Sequence, residues 1–160
     1  MRAKAGVAVL MMCVASCRPI AKPSDRSVST EVRVIKENGD PALRFEVTNS
    51  TTKPLVVIDR FLPWGGNAAN WGDDPALAMT AVDSLGRELP KLYPVRSLGP
   101  DTTTTIAPGE TAAGTLRMTH YFGNLREALE RGDVTVEWIY RLKAVDDAEM
   151  VFRGRNTLQK

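Results

Sequence analysis

The chain has 160 residues, 43% of them hydrophobic, and a formal net charge of +2 from 21 Lys+Arg against 19 Asp+Glu. That length suits one domain with a real core and is short for two. No lysine or arginine cluster of the kind that tracks phosphates occurs, which excludes nucleic-acid binding.

Arg2 and Lys4 precede an uncharged run from Ala5 to Ser16 that ends in small residues, the order of a secretory signal peptide over residues 1–16. The run falls short of the roughly 20 apolar residues that a permanent membrane-spanning helix needs. Val14-Ala15-Ser16-Cys17 then resembles the lipobox of bacterial lipoproteins. The resemblance implies cleavage before Cys17 and acylation of its thiol, a lipid of the palmitate kind, so that the membrane is a partner through that lipid. It also implies the outer membrane, facing the periplasm, because Arg18 stands where an aspartate would favour retention at the inner membrane. The alternative is an ordinary secretory peptide with an incidental cysteine. A thiolate is a strong nucleophile, so a cysteine presented at a cut site suits acylation.

Processing at that point changes what the remaining residues can do. Cys13 leaves with the signal peptide, so Cys17 is the sole cysteine and no intramolecular disulfide forms. Loss of Arg2 and Lys4 lowers Lys+Arg from 21 to 19 against 19 Asp+Glu, and the net charge falls from +2 to zero.

Residues 17–27 are polar, with Pro19 and Pro23, as expected of a flexible tether. Val28, Thr30, Val32 and Val34 alternate with Ser29, Glu31, Arg33 and Ile35, the period of a strand with one buried face. Asn38-Gly39 tolerates positive φ and leads into Leu43, Phe45 and Val47, which predicts a hairpin. Leu55-Val56-Val57-Ile58 is an unbroken apolar run, which predicts a strand buried on both sides. Further strands are expected at 77–82, 102–106 and 112–118, with loop between 88 and 100 where prolines recur.

One short helix is expected near residues 124–132, capped by the Asn124 side chain with Glu127 reaching back and ending at Gly132. The strongest strand follows, with Val134, Val136, Trp138, Tyr140 and Leu142 on one face, so Trp138 and Tyr140 are expected in the core. A last short strand is expected at Met150-Val151-Phe152, with 154–160 as a C-terminal tail.

Many short strands and one helix predict an all-β fold, an antiparallel sandwich of about 7–9 strands spanning residues 28–153. Asn49-Ser50-Thr51-Thr52-Lys53-Pro54-Leu55, the Pro108-Gly109-Glu110 turn and the late aromatic strand resemble immunoglobulin-like domains of the BsuPI proteinase-inhibitor type. The resemblance implies an immunoglobulin-like fold and carries little about activity.

Chemistry is sparse. With one histidine, His120, and no free thiol after processing, cysteine–histidine catalysis and a histidine-rich zinc site are excluded. His120 reads as a polar residue at a strand end beside Tyr121. None of Ser50, Ser84 and Ser97 stands in a nucleophile-elbow sequence. Asp73-Asp74 and Asp146-Asp147 with Glu149 lack the alternating oxygen ligands and glycine of an EF-hand loop, and no metal site, cofactor or catalytic residue is assigned.

The segment with most promise is the irregular stretch holding Trp64, Asn67, Trp71, Asp73 and Asp74, because long loops on rigid β scaffolds often bind and aromatic residues dominate interfaces. Trp64 and Trp71 would be its anchors. Alternatively, one or both indoles fold back and plug an open end of the sandwich. The function expected is a noncatalytic module that binds another envelope protein, with an inhibitor or immunity protein as one form. The alternatives are a structural subunit or stabiliser of an envelope assembly and, supported only by tryptophans that can stack on sugars, an enzyme acting on glycans or cell wall.

Overall fold

A computed structural model describes residues 28–65, 75–93, 102–146 and 148–160. Cys17 and the segments assigned above to signal peptide and tether lie outside them. In chain order the elements are β1 (Val28–Glu37), β2 (Asp40–Asn49), β3 (Leu55–Ile58), β4 (Leu77–Val82), β5 (Thr103–Ile106), β6 (Thr111–Arg117), α1 (Leu125–Arg131), β7 (Val134–Lys143) and β8 (Glu149–Leu158). The fold is all-β with one short helix, and every strand pairing is antiparallel.

Two three-stranded sheets, β1-β2-β6 and β4-β7-β8, form the layers. With the short β3-β5 ribbon set aside, the first, second and fourth of the six layer strands face the third, fifth and sixth. That is the A-B-E against C-F-G order of an immunoglobulin-like sandwich. The ribbon is fastened to the end of β7 by a bridge between Val57 and Ala144 and by the Val145 N–H, which donates to the Val56 carbonyl at 2.9 Å.

The β1–β2 hairpin closes through Asn38 and Gly39 at φ 53° and 85°, the positive-φ pair that a two-residue turn needs to match strand twist. Alternation then sends Leu43, Phe45 and Val47 inward, each fully buried, against Trp138, Tyr140 and Leu142 of β7. Phe45 meets Trp138 edge-on at 5.5 Å between centroids and Tyr140 at 6.4 Å, while Tyr140 stacks on Phe152 at 5.9 Å. The expected core placement of Trp138 and Tyr140 therefore holds.

Two polar side chains tie this core together. The Trp138 indole N–H donates to Asn156 Oδ1 at 2.8 Å, and Asn156 Nδ2 donates to the Val32 carbonyl at 3.1 Å, joining β8 to β1 across the layers. Asn49, fully buried, donates from Nδ2 to the carbonyls of Lys53 and Ile106, each at 2.8 Å, and its Oδ1 accepts from the Thr51 N–H and hydroxyl. The Asn49 to Pro54 stretch is thus a built corner held by the Asn49 side chain and by the Thr51 hydroxyl, which donates to the Lys53 carbonyl at 2.7 Å and accepts from the Lys53 N–H at 3.2 Å.

Five expectations are corrected. β8 runs to Leu158, so residues 154–158 are strand and not tail. Asn124 does not cap α1 with its side chain; it sits at φ 58°, and the helix opens on its carbonyl, which accepts from the Ala128 N–H at 3.0 Å. Of the β3 run only Val57 is fully buried, because β3 belongs to the short ribbon at the end of β7 and not to the interior of either layer. The β1 face predicted to be buried is only half-buried, and Val34 is 39% exposed, since β1 is an edge strand with β2 as its one neighbour in the sheet. The strand expected at 102–106 starts one residue later, at Thr103, and the one expected at 112–118 lies one residue earlier at both ends, Thr111–Arg117, with Met118 starting a 3-10 turn, Met118–His120.

Candidate functional site

Of the residues singled out from sequence, Asn67, Trp71, Asp73 and Asp74 lie outside the described residues, as does Cys17. Trp64 is described, and it takes the inward course. A Cβ added to Gly114 on β6 would lie 2.1 Å from Trp64 Cγ, so the indole rests on bare backbone opposite Phe45, packed against the core. This corrects Trp64 as an interface anchor: the ring plugs the β6 side of the sandwich.

The root of that segment is fixed by hydrogen bonds. Asp59 accepts from the Thr104 hydroxyl at 2.6 Å and from the Thr102 hydroxyl, while the Gly65 N–H donates to the Leu62 carbonyl at 2.8 Å. A Cβ on Gly65 would fall 1.8 Å from the Asp59 carbonyl oxygen, so only glycine permits this close backbone approach.

Of the remaining chemical candidates, His120 and Asp146 lie among the described residues. His120 is exposed at the end of its 3-10 turn and lines a shallow concavity of about 420 Å³ with Asp40, whose carboxylate holds Arg126 at 2.9 Å. Asp146 Oδ1 accepts from the Ala148 N–H at 3.3 Å within its turn. Among the described residues no three His, Cys, Asp or Glu side chains are grouped to hold a metal. Among the described residues the fully buried Tyr140 hydroxyl has no hydrogen-bond partner, and burial pushes its pKa well above the usual tyrosine value.

The two outer sheet faces differ sharply in how their charges are arranged. On β1-β2-β6, register puts Glu31 opposite Glu46 and Arg33 opposite Arg44, rows of like charge that would repel directly. Neighbouring rows carry opposite sign, so the pairs form along and across strands. Arg33 holds Glu31 at 2.7 Å and approaches Glu46 at 3.9 Å, and Arg44 holds Glu46 at 2.9 Å. Arg117 holds Glu37 at 3.0 Å. The Arg33 hydrogen bond keeps the Glu31 carboxyl below its usual pKa.

On β4-β7-β8 the rows are mixed. One reads Thr80, Glu137, Arg155, and there Arg155 pairs with Glu137. The adjacent row reads Ala78, Ile139, Arg153. The cross-strand position that would offer Arg153 a carboxylate holds Ile139, and among the described residues Arg153 has no ion-pair partner. These two rows and Lys91 line a concavity of about 490 Å³, in which, among the described residues, three cations face a single carboxylate, Glu137. Lys91 itself meets Glu88 at 3.6 Å. With an apolar floor and an unpaired guanidinium at its edge, this is the candidate site. Sequence reasoning missed it because residues 154–160 read as tail; the signal lay in Val151, Arg153, Arg155 and Thr157 alternating with Phe152, Gly154 and Asn156.

No protein-family model matches this chain, and no curated protein does. Solved structures give partial likenesses. A Bordetella pertussis protein designated ApaA shares 19% identity over 83% of this chain and 91% of that one, at TM-score 0.45. The structural-genomics target SoR45 shares 11% identity over 85% of this chain and 89% of its own, at TM-score 0.37.

Proposed function

We propose that the chain is a lipid-anchored envelope protein, held by Cys17 at the outer membrane and facing the periplasm, whose sandwich is a noncatalytic module that binds another envelope protein. An inhibitor or immunity protein is one form of such a module. The observation that carries this reading is the Ala78, Ile139, Arg153 row: apolar side chains flank a guanidinium with no partner in its own sheet. Arginine and apolar surface together are what protein interfaces favour, since the planar fork pairs with a carboxylate bidentately and the stem packs.

Val28 emerges at the end of the sandwich opposite the Asn38-Gly39 hairpin. The residues between Cys17 and Val28 can span at most roughly 35 Å when fully extended. An anchored domain would then lie within that reach of the membrane.

The test has two arms. Cys17→Ser should abolish palmitate labelling and leave the precursor uncut, and unchanged labelling overturns the anchor. For the module, Arg153→Glu should lose a partner that the wild type retains from an envelope extract, while Arg44→Glu, on the opposite face, should keep it. Equal retention by all three proteins overturns the assignment of the face.

A further inference from the structure

We infer that the occupant of the β4-β7-β8 face is an extended acidic segment of a protein partner, one that places carboxylates on Arg153 and Lys91 and an apolar side chain between them. This rests on the face being the docking surface proposed above, and adds the chemistry of what docks there.

Three features support it. Among the described residues around the concavity, Arg155 is already neutralised by Glu137, so the uncompensated positive charge lies with Arg153 on one side and, held by an exposed contact to Glu88, with Lys91 on the other. Between them lie Ala78 and Ile139, cross-strand neighbours that are half-buried and offer apolar surface. Arg153 lies on β8 and Lys91 beyond the far edge of β4, where Leu89 pairs with Ala81, so the two cations stand apart by two or three strand spacings, roughly 10–15 Å.

That separation discriminates between ligands. A single phosphate or lipid headgroup needs donors converging on one point, and here the two cations are divided by an apolar floor. An extended polypeptide rises about 3.3 Å per residue and repeats its facing every second residue, so carboxylates about four residues apart reach both cations with the intervening same-face side chain over Ile139. Paired with arginine, a carboxylate takes two parallel hydrogen bonds; with lysine, it meets a point charge. The contrast with β1-β2-β6, where each arginine already holds a glutamate, gives the partner one face to choose.

The experiment is a binding titration of the purified protein, read by fluorescence anisotropy, with a short capped peptide Glu-Ser-Leu-Ser-Glu, which when extended puts both carboxylates and the leucine between them on one face. The matching glutamine peptide and vesicles of phosphatidylglycerol with phosphatidylethanolamine are run beside it. The glutamate peptide should bind, weaken with added salt as surface charges are screened, and bind about tenfold or more weakly to Arg153→Glu, the loss of one charge-assisted contact. Lys91→Glu should weaken it in the same direction, and Arg44→Glu should leave it unchanged, with thermal melts establishing that all three variants fold. Equal binding of the glutamine peptide, equal loss in Arg44→Glu, or vesicle binding that depends on Arg153 without peptide binding each overturns the inference. If Arg153→Glu loses the captured envelope partner while no acidic peptide binds, the docking face stands and its acidic occupant falls.

Discussion

The two outer faces of this sandwich are built from the same alternation of charged and apolar residues, yet they end in opposite states. On β1-β2-β6 the register stacks like charges across strands, and the face recovers by pairing along and diagonally between them, leaving Glu31, Glu46 and Glu37 each with an arginine. On β4-β7-β8 the register offers Arg153 an isoleucine. The along-strand and diagonal neighbours thus decide whether a sheet face is self-satisfied or waits for an outside carboxylate: Arg33 has Glu31 and Glu46, whereas Arg153 has Val151 and Arg155 beside it on β8, and the diagonal Glu137 is held by Arg155. Charge content alone does not reveal this, because the chain is close to neutral and both faces carry arginines.

The comparison can be broken most severely from inside, since both faces stand on one core. Trp138→Ala should destabilise the fold by about 3–5 kcal/mol, removing a large buried ring from between Phe45 and Gly154 and costing both faces together. Chemical denaturation reads it, and a variant as stable as the parent would contradict the core described here.

The next effect is specific to one layer. A Cβ at Gly154 would lie 2.3 Å from the Trp138 ring, and one at Gly114 would lie 2.1 Å from the Trp64 ring. Each change to alanine should therefore cost about 1–3 kcal/mol by overpacking. The two differ in consequence: Gly154→Ala disturbs β8 beside Arg153 and should weaken docking, whereas Gly114→Ala disturbs the neutral layer and should lower stability with docking intact. Denaturation midpoints and partner affinity, measured on the same samples, separate them.

A third effect is pH-dependent and sits at the end of β4. Asp83, with its side chain 2% exposed, accepts from the Arg87 guanidinium at 2.7 and 2.9 Å and from the N–H groups of Arg87 and Leu85, and these bonds, the Arg87 side chain foremost, hold its carboxyl below the usual 3.8. A carboxyl whose folded pKa is lowered stabilises the fold above its unfolded value and loses that contribution as pH falls through the folded one. Stability should therefore drop on acidification below about 3.8, and Asp83→Asn should flatten that limb of the profile in thermal melts. An identical acid limb in the variant would contradict the assignment.

The smallest stability effects are the most informative about function. Arg44→Ala and Arg153→Ala should each change stability by no more than about 0.5 kcal/mol, as expected for exposed side chains. Their difference should appear in binding alone.

Much of the architecture was legible because alternation is a strong signal where apolar residues hold it. Leu43, Phe45 and Val47 in β2, and Val134 to Leu142 in β7, announce strand and inner face at once. β8 was cut short for the converse reason. Its inward positions hold Gly154 and Asn156, which read as tail until the Trp138 ring over the first and the indole hydrogen bond to the second are seen. Asn124 looked like a side-chain cap, and the structure uses it for its tolerance of positive φ. Trp64 could be read as plug or anchor, and only the gap left by Gly114, fifty residues away in the chain, selects the first. The candidate site was least legible of all, because Arg153 is distinguished by its neighbours across and along the sheet and not by any motif of its own.

The most direct test of the docking face is a lysine-reactivity footprint of the protein with and without its captured partner. Lys91 lines the concavity, whereas Lys36 and Lys53 are exposed away from it. Lys91 should become protected from acetylation in the complex while Lys36 and Lys53 react as before. Protection of Lys36 or Lys53 with Lys91 unchanged would place the partner elsewhere and contradict the docking face.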